Sequence, residues 1–119
     1  MKKILLSSIV MSILMFSQAF AGNTSYYGSQ FHGKRAANGS IYNMNALTAA
    51  HKTLPFGTKV KVTNSKTKES VIVKITDRGP YIKGRVLDLS KAASNKINCK
   101  LCNTDMKIIS YGDGKYRKE

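Results

Sequence analysis

Thr76-Asp77-Arg78-Gly79-Pro80 closes the most regular stretch of this chain. Upstream of it, Thr58 to Thr63 alternates Val60 and Val62 with Lys59 and Lys61, and Ser70 to Thr76 places Val71, Val73 and Ile75 on one parity. Period-two alternation marks half-buried strands. The polar run Asn64-Ser65-Lys66-Thr67-Lys68 between them makes the pair a β-hairpin. Gly79-Pro80 then breaks the ladder sharply. Asp77 sits at that break, where a strand-end side chain projects into a cleft or bonds to the amides of its own turn.

Working outward, Val86 to Leu89 reads as a further short strand. Ser90 is a good N-cap for a short helix through Ala92, Ala93 and Ile97. Met106 to Tyr111 reads as the last strand, and Gly112 to Glu119 as a charged tail expected to fray. Before the hairpin, Leu47-Thr48-Ala49-Ala50 is a small-residue strand ending at His51, and Leu54-Pro55-Phe56-Gly57 is a turn. Tyr26 to Asn45, rich in Gly, Ser, Asn and Tyr, reads as loops around short strands. Aromatics and amides on loops suit sugar binding. The class is mostly β with a short helix, and a closed barrel suits so small a core because it hides strand edges.

The N-terminus reads as an address. Lys2 and Lys3 precede an apolar run from Ile4 to Phe16, and Ala19-Phe20-Ala21 has the form of an A-x-A cleavage site. Residues 1–21 are therefore expected to be a signal peptide, and removing them from the 119-residue chain leaves 98. That length gives one domain over 22–119, with a core of about 24–110 and a tail of 111–119. The formal charge of +14 drops to +12 without Lys2 and Lys3 and favours an anionic partner. Export, to the periplasm or envelope or beyond, makes nucleic acid an unfit partner and leaves the wall and lipid head groups. In an oxidising compartment Cys99 and Cys102 are expected to form a local disulfide. A zinc site normally takes four ligands, and the chain adds only His32 and His51 to its two cysteines. No metal or cofactor is expected.

Carboxylates are scarce. Of six acids, Glu69 lies at the hairpin turn, Asp105 follows the cysteine loop, Asp113 and Glu119 are in the tail, and only Asp77 and Asp88 end strands in the compact part. A general acid must be held near its target and kept protonated, which singles out Asp77. Strand alternation sends the neighbouring Arg78 to the other face. Asp88, between Leu87 and Leu89, lines the cleft or helps cap the helix at Ser90. His51 at a strand end can carry a proton, orient a partner or serve the structure alone.

Taken in order, Ser25-Tyr26-Tyr27-Gly28, Phe31-His32-Gly33-Lys34, Ala37-Asn38-Gly39, Asn45 to Lys52, Leu54 to Thr58, Asp77 to Pro80, and Gly84-Arg85 through Asp88-Leu89-Ser90 resemble the rare lipoprotein A family of septal lytic transglycosylases. The resemblance spans about Thr24 to Ile109. It implies a six-stranded double-psi β-barrel with one or two short helices. It also implies an enzyme, a lyase that cuts the β-1,4 bond between N-acetylmuramic acid and N-acetylglucosamine in peptide-poor peptidoglycan and leaves 1,6-anhydro ends. One carboxyl can serve such a reaction as acid and then base, whereas ordinary glycoside hydrolysis uses two. The resemblance places the catalytic pair on Asp77 and His51, with Tyr27, Asn38, Ser40, Arg78, Tyr81 and Asp88 expected against sugar.

The sequence departs from that family at three points. Many relatives carry Glu where this chain has Ser40. Gly22, not Cys, follows the expected cleavage site, so no stable membrane anchor is expected. The C-terminal peptidoglycan-binding domain of longer members is not expected in this short form, and a monomer is the expected state. A second expectation therefore stands beside the first: a non-catalytic, expansin-like module that binds or loosens peptidoglycan.

Overall fold

A computed structural model describes residues 19–118. Six strands close into a barrel among them: β1 (Ala19–Tyr26), β2 (Thr48–Ala50), β3 (Lys59–Asn64), β4 (Ser70–Asp77), β5 (Arg85–Leu89) and β6 (Leu101–Ser110), joined in the order β1-β5-β2-β4-β3-β6 and back to β1. The pairs β1/β5 and β2/β4 are parallel and the rest antiparallel. This is the double-psi β-barrel. A short helix, α1 (Lys91–Lys96), follows β5, and a single 3-10 turn covers Ser29–Phe31.

The expected hairpin is β3/β4, with Val60 opposite Val73 and Val62 opposite Val71. These valines join Ala49, Ile75, Leu87, Leu89, Ala93, Ile97 and Met106 in one core. Ser90 caps α1 by accepting from Ala93 N at 3.3 Å. Cys99 and Cys102 are joined by a disulfide between the helix and β6.

Three features exceed the sequence reading. First, β6 begins at Leu101, five residues before the expected Met106. Its inward residue there is Thr104, whose hydroxyl bonds that of Thr24 at 2.7 Å inside the barrel. Polar residues on the inner parity conceal the hydrophobic alternation that marks a strand. Second, β1 runs back through Ala19-Phe20-Ala21, which pair with Lys107, Met106 and Asp105. Those three residues form the expected cleavage site, whose leader from Met1 to Gln18 lies outside the described residues.

Third, the tail does not fray over residues 112–117. Gly112 N donates to Thr58 Oγ1 at 3.0 Å, Gly114 N to Phe56 O at 3.0 Å and Arg117 N to Asn38 O at 2.6 Å. Gly112 lies so close to the Phe56–Thr58 turn that a Cβ there would meet Phe56 O at 2.0 Å. Backbone cannot yield as a flexible side chain does. Gly112→Ala is therefore expected to lower stability by about 2 kcal/mol, the usual scale of overpacking. Denaturant unfolding checks this, and an unchanged midpoint would show that the tail is not held.

Candidate functional site

The site is built on the register of β2. Ala49 lies opposite Ile75 of β4 and Leu89 of β5, a row that points into the core. The next residue, Ala50, lies opposite Asp88 on β5 and Asp77 on β4, because β4 carries an extra residue, Thr76, between the two pairings. Plain alternation would turn Asp77 inward with Val71, Val73 and Ile75. An extra residue in one strand re-aims the side chains beyond it. The irregularity at Thr76 thus puts Asp77 on the outer face with Asp88. Two inter-strand spacings set the two Cα atoms about 10 Å apart across Ala50.

A notch of about 210 Å³ opens over this row, with Ala50 as its floor and Asp77 and Asp88 as its walls. Tyr27, Phe31 and Tyr42 form the aromatic side, with ring centroids 6.1 Å apart for Tyr27–Phe31 and 4.6 Å for Tyr27–Tyr42. Lys34 and Arg35 stand at the rim. A larger depression of about 550 Å³ borders Ala19–Ala21 and Lys107 on the β1–β6–β3 side. It lies where the undescribed N-terminal residues join the barrel and holds one acid, Asp105, so the notch is the chemically equipped site.

Asp77 Oδ1 accepts from Ala37 N and Arg78 N, each at 2.9 Å. Its Oδ2 has no hydrogen-bond partner among the described residues. Asp88 accepts from the Ser25 hydroxyl, its neighbour in the same row. The helix cap belongs to Ser90, so Asp88 lines the notch. Burial pushes the Tyr27 hydroxyl well above the ordinary tyrosine range, an effect that Thr48 partly offsets and that Asp77, Tyr42 and Asp88 reinforce. Yet neither Tyr27 Oη nor Thr48 Oγ1 has a well-formed hydrogen bond among the described residues. Buried polar atoms without partners are uncommon.

The other expected site residues lie outside the notch or are already engaged. Arg78 lines the notch, but its guanidinium is 3.9 Å from the Phe56 ring and donates to His51 O at 3.1 Å and Leu54 O at 2.8 Å. Asn38 Oδ1 accepts from Ser40 N at 3.0 Å and Ser40 Oγ at 2.6 Å, so these two side chains close their own turn. Tyr81 is 79 % exposed. His51 bonds Asp77 through the backbone, N to O at 3.2 Å. Its ring turns elsewhere: Nδ1 accepts from Thr53 N at 3.1 Å and Leu54 N at 3.0 Å, and Phe20 packs edge-on at 5.7 Å. The sequence reading did not single out Ala50, Ser25, Tyr42 or Thr48. Only the register between strands reveals the first two, and only the packing around Tyr27 the others.

The fold and site define a double-psi barrel with a two-acid cleft on its outer face. The chain belongs to the lytic transglycolase family, whose profile matches residues 19–113. It is 60 % identical over 76 residues to a probable endolytic peptidoglycan transglycosylase RlpA of Synechocystis, covering 64 % of this chain and 24 % of that protein. It is 42 % identical over 104 residues to the endolytic peptidoglycan transglycosylase RlpA of Campylobacter jejuni, covering 85 % of this chain and 38 % of that protein. It thus spans about a quarter to two-fifths of these relatives. The apo expansin of Clavibacter michiganensis shares the fold, with a TM-score of 0.59 and 20 % identity over 81 % of this chain and 52 % of that one.

Desolvation, then Arg78 and Lys52, hold the His51 imidazole below its ordinary value of 6.5. With Nδ1 accepting two amide bonds, the neutral ring carries its proton on Nε2. The unfolded chain then binds this proton more readily than the folded one, so the contribution of His51 to stability is present above pH ~6.5 and is lost as pH falls through the lower folded value. Nitrogen NMR is expected to show the Nε2–H tautomer and a midpoint below 6.5. A midpoint at or above it, or an Nδ1–H tautomer, would contradict this environment.

Proposed function

We propose that this chain is an exported endolytic peptidoglycan lytic transglycosylase acting on peptide-poor glycan strands. The observation that carries the reading is the outer row Asp77–Ala50–Asp88 beneath an aromatic wall, in a chain of the lytic transglycolase family. The relatives' names support the same activity.

A saccharide laid across Ala50 would meet Asp77 on one side and Asp88 on the other. Asp77 is the proton carrier. Two backbone amides fix Oδ1, which leaves Oδ2 for the substrate. The protonated carboxyl gives its proton to the glycosidic oxygen as the C1–O4 bond breaks. The muramic O6 then closes on C1, and the carboxylate takes the O6 proton. One carboxyl serves both steps, no water is consumed, and the product is a 1,6-anhydro end. Asp88, steadied by Ser25, orients the sugar, and Tyr27 and Phe31 pack on its ring face. His51 acts by holding the Thr53–Leu54 turn and, through its backbone, Asp77. Signal-peptide cleavage after Ala21, part of the same proposal, would remove Phe20 from the His51 ring.

A second reading has one observation in its favour. The family resemblance implies Glu at the position of Ser40, whose hydroxyl is spent on Asn38. Asp77 and Asp88 are then the acids left to line the notch, which suits a binding module. Digestion of peptide-free glycan strands followed by mass spectrometry separates the readings. Wild type is expected to release anhydro-ended fragments. Asp77→Asn is expected to lose at least about a hundredfold in rate, the scale of general acid–base catalysis, while staying folded. Salt-sensitive binding to sacculi with no anhydro product would favour the binding module, and persistence of product in Asp77→Asn would remove Asp77 from the mechanism.

A further inference from the structure

The barrel face away from the notch is built against its own stability. Lys59 of β3 lies directly opposite Lys74 of β4, and Lys61 of β3 directly opposite Lys107 of β6. Like charges directly opposite one another destabilise a sheet. All four side chains are exposed, and the only ion pair among the described residues is Arg117–Asp113. Asp105 borders the same depression as Lys61 and Lys107 but pairs across with Thr63 and Ala21 and makes no ion pair with either lysine. Nothing in the folding of the barrel asks for two lysine–lysine pairs.

The same face exposes aliphatic side chains. Ile72, 50 % exposed, sits opposite Lys61. Ile109, 49 % exposed, lies at the irregularity of β6 beside Lys59. A soluble anionic polymer would use the charges alone. A bilayer surface uses both: head groups take the lysines, and the interface takes the isoleucines.

We propose that the outer face of β4, β3 and β6 docks on an anionic lipid surface. The lysines supply an attraction of roughly 1 kcal/mol each near such a surface, a factor of about five apiece. The cleft row lies on β5, β2 and the end of β4, so a barrel docked this way keeps the notch turned from the membrane.

The test is flotation of the full chain with phosphatidylcholine vesicles, with and without phosphatidylglycerol, at low and high salt. The readout is the extra binding that phosphatidylglycerol confers, because the apolar N-terminal run contributes to both vesicle types alike. Changing Lys59, Lys61, Lys74 and Lys107 to Gln is expected to cut this increment at least about tenfold. Changing Lys83, Lys91, Lys96 and Lys100 to Gln, which alters net charge equally, is expected to leave most of it. Ile72→Ser with Ile109→Ser is expected to weaken binding at high salt, where screening leaves the apolar part. An absent increment in wild type, or equal losses in the two lysine variants, would overturn the proposal. So would loss of sacculus binding with the vesicle increment intact, which would assign the face to wall polymer instead.

Discussion

The extra residue at Thr76 is the constraint on which the rest of the structure depends. It separates the core pairing Ala49–Ile75 from the outer pairing Ala50–Asp77. It also leaves Thr76 O to accept from Asn38 N at 3.0 Å, which docks the Ala36–Ser40 turn and brings Ala37 N onto the Asp77 carboxylate. Just before it, Ile75 exchanges backbone bonds with Gly57 and Thr58, and just after it Asp77 O takes His51 N. Three segments distant in sequence converge on three consecutive residues of β4. The tail then ties two of them together, since Gly112 and Gly114 bond the Phe56–Thr58 turn and Arg117 bonds Asn38.

This convergence explains a division of labour among neighbouring residues. Asp77 works in the notch while Arg78 reaches away from it, stacking on Phe56 and binding two carbonyls of the 51–54 segment. His51 uses its ring to hold a turn and its backbone to hold Asp77. Motif residues that look alike in sequence therefore divide into those whose side chains are left open to the notch and those spent on holding its walls in shape.

Much of the fold was legible because its inward residues are apolar. Val60, Val62, Val71, Val73 and Ile75 announce β3 and β4, and Ser90 announces α1. The first half of β6 and all of β1 were not legible, because Thr24 and Thr104 face inward and satisfy each other there. The site was half legible. Counting acids leads to Asp77, and parity against Leu87 and Leu89 turns Asp88 outward. That both flank Ala50 depends on a register shift that single-strand patterns do not carry. The placement of Asn38, Ser40 and Tyr81 was decided by local turn bonding and exposure, which composition does not reveal.

The central claim is that a glycan lies across Ala50 between Asp77 and Asp88. A crystal structure of the Asp77→Asn protein with a peptide-free muramic acid–glucosamine tetrasaccharide tests it most directly. The account predicts a sugar ring over Ala50 against Tyr27, with a glycosidic oxygen within hydrogen-bonding reach of the position-77 side chain. A saccharide bound on the β4–β3–β6 face, with the notch left to solvent, would contradict it.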